Sequence, residues 1–206
     1  MPKITKLERQ THKNSRVSVF VDDEYAFSLT DEAVIEYGLI VGKDVNTLPL
    51  EEIYIEDQYK QALSSAFNHM SRSEKSEKQI KDFLLKKFSE DTVVRVINRL
   101  KELNYIDDYN FAKNFKESSK NAGVNAIKMK LKARGISDEI INSVLEEVSE
   151  EEQLEKAVEL TKKQMPKYSK YELYDQKRKI NDFLYRKGFQ WDVIKGAIER
   201  VFTEED

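Results

Sequence analysis

KINDFLYRKGF, residues 179–189, is the third statement of one phrase. Residues 126–136 read AIKMKLKARGI, and residues 79–88 read QIKDFLLKKF. Aligned on Ile80, Ile127 and Ile180, each phrase has a leucine four residues on, at Leu84, Leu131 and Leu184. Positions i and i+4 share one face of a helix, so each phrase predicts a helix with a buried Ile–Leu stripe. Basic residues follow: Lys86 and Lys87, then Arg134, then Arg186 and Lys187. Gly135 and Gly188 come next in two of the three, where a helix C-terminus favours a residue free to take positive φ. An apolar residue closes each phrase, at Phe88, Ile136 and Phe189.

Outward from this phrase, the neighbouring segments match as well. On the carboxyl side Val93, Val96, Ile97 and Leu100 correspond to Ile141, Val144, Leu145 and Val148, and to Ile194, Ala197, Ile198 and Val201. Ser89 and Ser137 stand as N-caps for this second helix. On the amino side a preceding helix is expected from Tyr59, Ala62, Leu63, Ala66 and Phe67 in the first unit. In the second it is expected from Phe111, Ala112 and Phe115, behind Asp107 and Asp108. In the third it comes from Leu154, Ala157 and Val158, opened by a capping-box pattern, SEEE, at 149–152. The first 50 residues follow a different period. Val17, Val19 and Val21, then Tyr25, Phe27 and Leu29, alternate around Asp22, Asp23 and Glu24, which predicts a hairpin. Residues 4–10 are expected to add a third strand, Thr30 to cap a short helix ending at Gly38, and Pro49 to sit in the first turn of the next helix. The expected fold is mainly α: three tandem three-helix repeats forming an elongated array, preceded by a small N-terminal segment containing a β-hairpin. The expected division is 1–50, 51–107, 108–150 and 151–206, with the first segment a removable cap.

Composition bounds the chemistry. The 206 residues include 35% charged and 39% hydrophobic side chains, ten Phe, ten Tyr and one Trp, enough apolar surface to fold. Six Gly and three Pro leave long uninterrupted segments that favour helix. No Cys is present, which excludes disulfides and thiolate metal sites. The opening MPKITKLERQ lacks the apolar run of a signal peptide and no stretch approaches a membrane span, so a cytoplasmic protein is expected. The net charge of −3 is unevenly distributed. Residues 1–57 hold six basic and twelve acidic residues, whereas 113–134 hold seven basic against one acidic, and 156–187 ten against four. For a polyanionic partner the local field matters more than the mean.

No catalytic constellation emerges. His12 and His69 stand in unrelated contexts, and no Gly-rich phosphate loop occurs. Asp22 and Asp23 read as turn residues, and Asp107 and Asp108 as a helix N-terminus. Phe67, Phe83, Phe111, Phe115, Phe183 and Trp191 recur at core spacing and read as packing. The cations are different, because packing does not require Lys or Arg beside the recurring turn. Lys86, Lys87, Arg134, Arg186 and Lys187 occupy equivalent places and are expected to form a basic track. Lys128, Lys130 and Lys132 concentrate charge in the middle repeat, with Lys130 where the flanking repeats carry Phe83 and Phe183. Arg72 and the run Lys177, Arg178 and Lys179 complete the candidate interface for nucleic acid or a charged filament. Such contacts need only spaced cations facing phosphate. The opposing reading is a solvated surface whose cations answer the helix dipole.

These residues carry a family resemblance. Residues 59–88, with the Ala62–Leu63 helix, Arg72 and Ser73, and the basic helix end, resemble the opening motif of the RecX regulatory proteins. RLKELNYIDDYNFAKNF, 99–115, resembles that family's second motif, and KARGI, 132–136, its third. The likeness spans about 59–202, and the β-patterned start resembles the extra amino-terminal region of longer members. The chain departs from the pattern at Lys78 and Ile80 and lacks a Gly before Phe88. The resemblance implies a non-catalytic helical repeat protein, without metal or cofactor, that binds the RecA recombinase filament and single- or double-stranded DNA without strong sequence preference. It implies modulation, chiefly inhibition, of strand exchange, ATP hydrolysis and coprotease activity by a monomer. Two other classes remain open at this level: a stand-alone helix-turn-helix DNA binder, and a protein-binding helical scaffold. Against the first, few Asn, Gln or Arg stand where a recognition helix would read base edges.

Overall fold

The computed structural model describes residues 1–10 and 16–203; His12 lies outside them. The described chain is mostly helical, with ten α-helices after a three-stranded antiparallel sheet in the order β1-β2-β3. Two compact units result. One comprises Met1–Ser73 with Ile80–Leu103, the other Glu74–Gln79 with Asn104–Asp206.

The first unit begins with strands β1 (Ile4–Arg9), β2 (Arg16–Val21) and β3 (Glu24–Thr30). Asp22 and Asp23 form the β2–β3 turn at φ 48° and 70°, the left-handed conformation that tight hairpins demand and that Asp tolerates. The Lys3 amide donates to Asp22 Oδ1 (2.9 Å), and the Asp23 amide donates to Thr5 Oγ1 (2.8 Å), locking that turn onto β1. The alternation places Val17 opposite Leu29 and Val19 opposite Phe27. Ile4, Val19 and Leu29 then pack with Ala33, Leu39 and Ile53 in one core. Thr30 caps α1 (Asp31–Glu36), its hydroxyl accepting from the Ala33 amide. Helix α2 (Leu50–Met70) follows as 21 unbroken residues and packs against both β3 and α4 (Glu90–Glu102). Its Asp57, 2% exposed, accepts from the Thr30 hydroxyl (2.5 Å) and amide (3.2 Å) and from Gln61 Nε2 (2.5 Å). The helix that opens the first repeat is therefore bolted to the sheet as well. Helix α3 (Glu77–Leu84) contributes the buried Ile80 and Leu84, and α4 contributes Val93, Val96, Ile97 and Leu100.

The second unit holds two trihelical bundles. In α5 (Asp108–Ser118), α6 (Val124–Ala133) and α7 (Asp138–Glu146), Phe111, Ala112, Ile127, Leu131, Ile136, Ile141 and Val144 form the core. In α8 (Glu150–Tyr168), α9 (Leu173–Arg186) and α10 (Trp191–Thr203), Ala157, Leu160, Ile180, Leu184, Phe189, Ile194 and Ala197 do so. All three Ile–Leu stripes are thus buried, and Ser89, Ser137 and Ser149 accept from amides three residues on as N-caps. One reading fails: Trp191, taken as core, is 67% exposed. It stands at the first position of α10, where the aligned repeats have the exposed Glu90 and Asp138.

Candidate nucleic-acid interface

The recurring turn does more than end a helix. In the second unit the turn after α9 meets the start of α6: the Gly123 amide donates to the Lys187 carbonyl (2.9 Å) and the Asn125 amide to the Gly188 carbonyl (3.1 Å). Helix α8 assists, with Gln153 Oε1 accepting from the Val124 amide (3.3 Å). The turn after α6 meets the segment Glu74–Gln79 in the same manner. There Ser76 Oγ donates to the Arg134 carbonyl (2.7 Å), and Asp108 Oδ1 accepts from the Glu77 amide (2.9 Å). The C-terminal carbonyls of one middle helix thereby answer donors at the N-terminus of another, satisfying groups that a helix end leaves orphaned. Asp107 caps α5, accepting from the Asn110 amide, as the sequence implied. Asp108 instead reaches 31 residues back along the chain, and Gln153 reaches 29. Sequence reasoning missed both, since neither contact has a local signature.

This geometry places the expected cations. Arg72, Lys86 and Lys87 belong to the first unit, and the other nine belong to the second. Arg134 and Lys187, whose carbonyls make the end-to-end contacts, lay their charges over rings: Arg134 over Phe115 at 4.6 Å and Lys187 over Phe183 at 5.6 Å. Arg134 Nη1 also donates to the Lys130 carbonyl (2.9 Å), which brings those two residues together. Lys132 pairs with Asp138 at 2.7 Å, and this hydrogen bond holds the Asp138 carboxyl below its ordinary range. Lys128 Nζ reaches Asn142 Oδ1 at 3.4 Å. The run in α9 is split: Lys177 lies over Phe202 (5.2 Å), Arg178 pairs with Asp175 (2.9 Å), and Lys179 lies over Tyr171 (4.4 Å). A helix turns 100° per residue, so three consecutive side chains cannot share one face.

Of the twelve candidate cations, Arg72, Lys86, Lys87, Lys130 and Arg186 are exposed and, among the described residues, neither pair with a carboxylate nor lie over a ring. Lys130 stands exposed where Phe83 and Phe183 are half-buried, so the middle repeat presents a cation at a position the others use for packing. Lys87 also lines a cleft of about 740 Å³ with Arg16 and Lys60, but Glu32, Glu36 and Asp57 line it too, so the cleft has no cationic excess. No helix among the described residues is long and apolar enough to cross a membrane.

Comparison with known proteins gives a consistent result. Residues 2–46 match the family model for the regulatory protein RecX N-terminal domain. Residues 62–100 match that for the first RecX three-helix domain, and 150–198 that for the third. The regulatory protein RecX of Clostridium botulinum (strain Eklund 17B / Type B) is 34% identical, covering 100% of this chain and 99% of that protein. Its counterpart in Bacillus subtilis (strain 168) is 32% identical over 100% of this chain and 80% of its own length. A crystal structure of regulatory protein RecX superposes with a TM-score of 0.67 at 25% identity, covering 95% of this chain and 98% of that one. The crystal structure of RecX from Lactobacillus salivarius also gives 0.67, at 28% identity over 72% of this chain and 99% of that one.

Proposed function

The chain belongs to the RecX family of regulatory proteins, and from that premise we propose that it regulates the RecA recombinase by binding the RecA–DNA filament and restraining strand exchange, ATP hydrolysis and coprotease activity. It does so without chemistry of its own, as a cytoplasmic monomer organised as an N-terminal segment, 1–50, and three repeats, 51–107, 108–150 and 151–206. The observation that carries the reading is that five of the candidate cations, Arg72, Lys86, Lys87, Lys130 and Arg186, are exposed and paired with no carboxylate among the described residues, in a chain with a net charge of −3. Cations that fold stability does not consume are available to phosphate or to an acidic filament surface. Lys128, Lys132, Arg134, Lys177, Arg178, Lys179 and Lys187 contribute field around them while engaged in contacts within the protein. Binding of this kind is set by phosphate neutralisation and carries no direct sequence information.

The test is RecA-dependent ATP hydrolysis and strand exchange with the protein added, across a salt series. Reversing Lys86, Lys87, Lys130 and Arg186 together to Glu should weaken DNA binding and inhibition alike. The log–log salt slope should become shallower by about 0.7–0.9 for each phosphate that the variant no longer neutralises. Circular dichroism should be unchanged, because the four side chains are exposed. Normal regulation by this variant would reduce these cations to a solvated surface.

A further inference from the structure

The second unit leaves large aromatic rings in water at a place the bundle does not need them. Tyr185 is 74% exposed in the last turn of α9, and Trp191, at the first position of α10, is 67% exposed. Their neighbours are not apolar. Arg186, Gln190, Asp192 and Lys195 are all exposed, and Arg186 has no carboxylate partner among the described residues. On the other side of Tyr185, the same face of α9 runs through Asn181 and Arg178 to Tyr174, which is 79% exposed. Tyr174 and Tyr185 lie eleven residues apart, about 16 Å along the axis. They cannot stack on each other, and each leaves most of its ring in water.

We propose that Tyr185 and Trp191, with Arg186 beside them, form a stacking surface for the bases of single-stranded nucleic acid. The inference deepens the function proposed above and rests on its DNA-binding half. Exposed Tyr, Trp and Arg also suit a protein partner, but the centre of such an interface is depleted of Asp and Lys, and here exposed Asp192 and Lys195 flank Trp191. Rings separated by cations and amides are instead the arrangement of a single-strand groove, where the rings take base faces and the cations take phosphates. Stacking tolerates every base, which agrees with binding that lacks sequence preference. The charge around the rings stays positive, with Arg186, Lys187 and Lys195 against Asp182 and Asp192 within residues 181–195.

Trp191 is the chain's one tryptophan, so its fluorescence reports directly on this surface. The full chain, without RecA, is titrated with oligothymidylate and, separately, with an abasic strand of equal length and charge. The base-bearing strand should quench Trp191 and bind tighter than the abasic one. Followed by the anisotropy of a labelled oligothymidylate, because the second variant removes the tryptophan, Tyr185→Ala and Trp191→Ala should each weaken binding about 5- to 100-fold, while Tyr185→Phe, which keeps the ring, should not. Equal affinity for the two strands, or alanine variants that bind like the unaltered protein, would overturn the proposal in favour of phosphate contact alone. A fluorescence signal unmoved by oligonucleotide would also overturn it. RecA assays on the same samples separate the two readings. Inhibition without quenching sinks only the stacking surface, whereas quenching without inhibition sinks only the regulatory function.

Discussion

At the scale of single residues, the buried stripe and the glycine turn carry the most energy. Leu131 is fully buried, and Leu131→Ala should cost about 2–5 kcal/mol, read as a lower midpoint in urea. Gly188, at φ +85°, is the sharper case. A Cβ there would collide with the amide nitrogen and the Cβ of Ala126, because the two middle helices touch at that point. Gly38, at φ +57°, has only Lys43 Nζ, 3.9 Å away. Both alanine substitutions meet left-handed strain, but Gly188→Ala adds a backbone clash. It should destabilise by more than about 1 kcal/mol and by more than Gly38→Ala in the same urea experiment. Asp138 makes a third test. Its lowered carboxyl pKa, caused first by the Lys132 hydrogen bond, gives the pair a contribution that is present above the unfolded value of 3.8. That contribution is lost as pH falls through the lower folded value. Because the pair is solvent-exposed, its main consequence is charge: Asp138→Asn should free Lys132 and steepen the salt dependence of DNA binding. An unaltered slope would show that Lys132 does not face the nucleic acid. The Ile and Leu positions were legible because burial follows helical period. Trp191 was misread because aromatic identity outweighed alignment, although its match to Glu90 and Asp138 marked it as exposed.

At the scale of elements, each middle helix has two jobs, and only one shows in its periodicity. The stripe packs it within its own bundle, while at least one of its ends meets donors or acceptors from another repeat. Asp108 and Gln153 accept from the first amides of α3 and α6. Both residues sit four before a fully buried alanine, Ala112 and Ala157, which places them equivalently in their helices. Gln153→Ala should leave the Val124 amide without this acceptor and cost about 1–3 kcal/mol in chemical denaturation. A loss limited to a few tenths would mean that water replaces the side chain. The caps at Ser89, Ser137 and Ser149 were legible, since capping depends on residues within one turn. The acceptors at 108 and 153 were not, since a carboxylate that caps its own helix and one that reaches 31 residues away look alike in a linear string.

At the scale of the whole molecule, the sheet and the first repeat share α2. Ile53 lies in the sheet's core and Asp57 receives the Thr30 hydroxyl, while Ala62 and Ala66 are buried further along the same helix. Deleting residues 1–49 should therefore expose Ile53 and strip Asp57 of the Thr30 donors. Amide hydrogen exchange should quicken in the first half of α2 and stay slow in α6 and α9. Uniformly slow exchange in the truncated chain would establish the amino-terminal segment as a removable cap. Period, caps and turn residues, which are local constraints, sufficed to read from the chain alone the three helical units, their buried faces and the hairpin. Which cations remain free was not readable, because Lys132, Arg178 and Arg134 are engaged by Asp138, Asp175 and the Phe115 ring through distances that folding alone sets. The end-to-end seating of the middle helices was hidden for the same reason: it needs a glycine, a carbonyl and an acceptor from different segments to arrive at one place, and only packing brings them there.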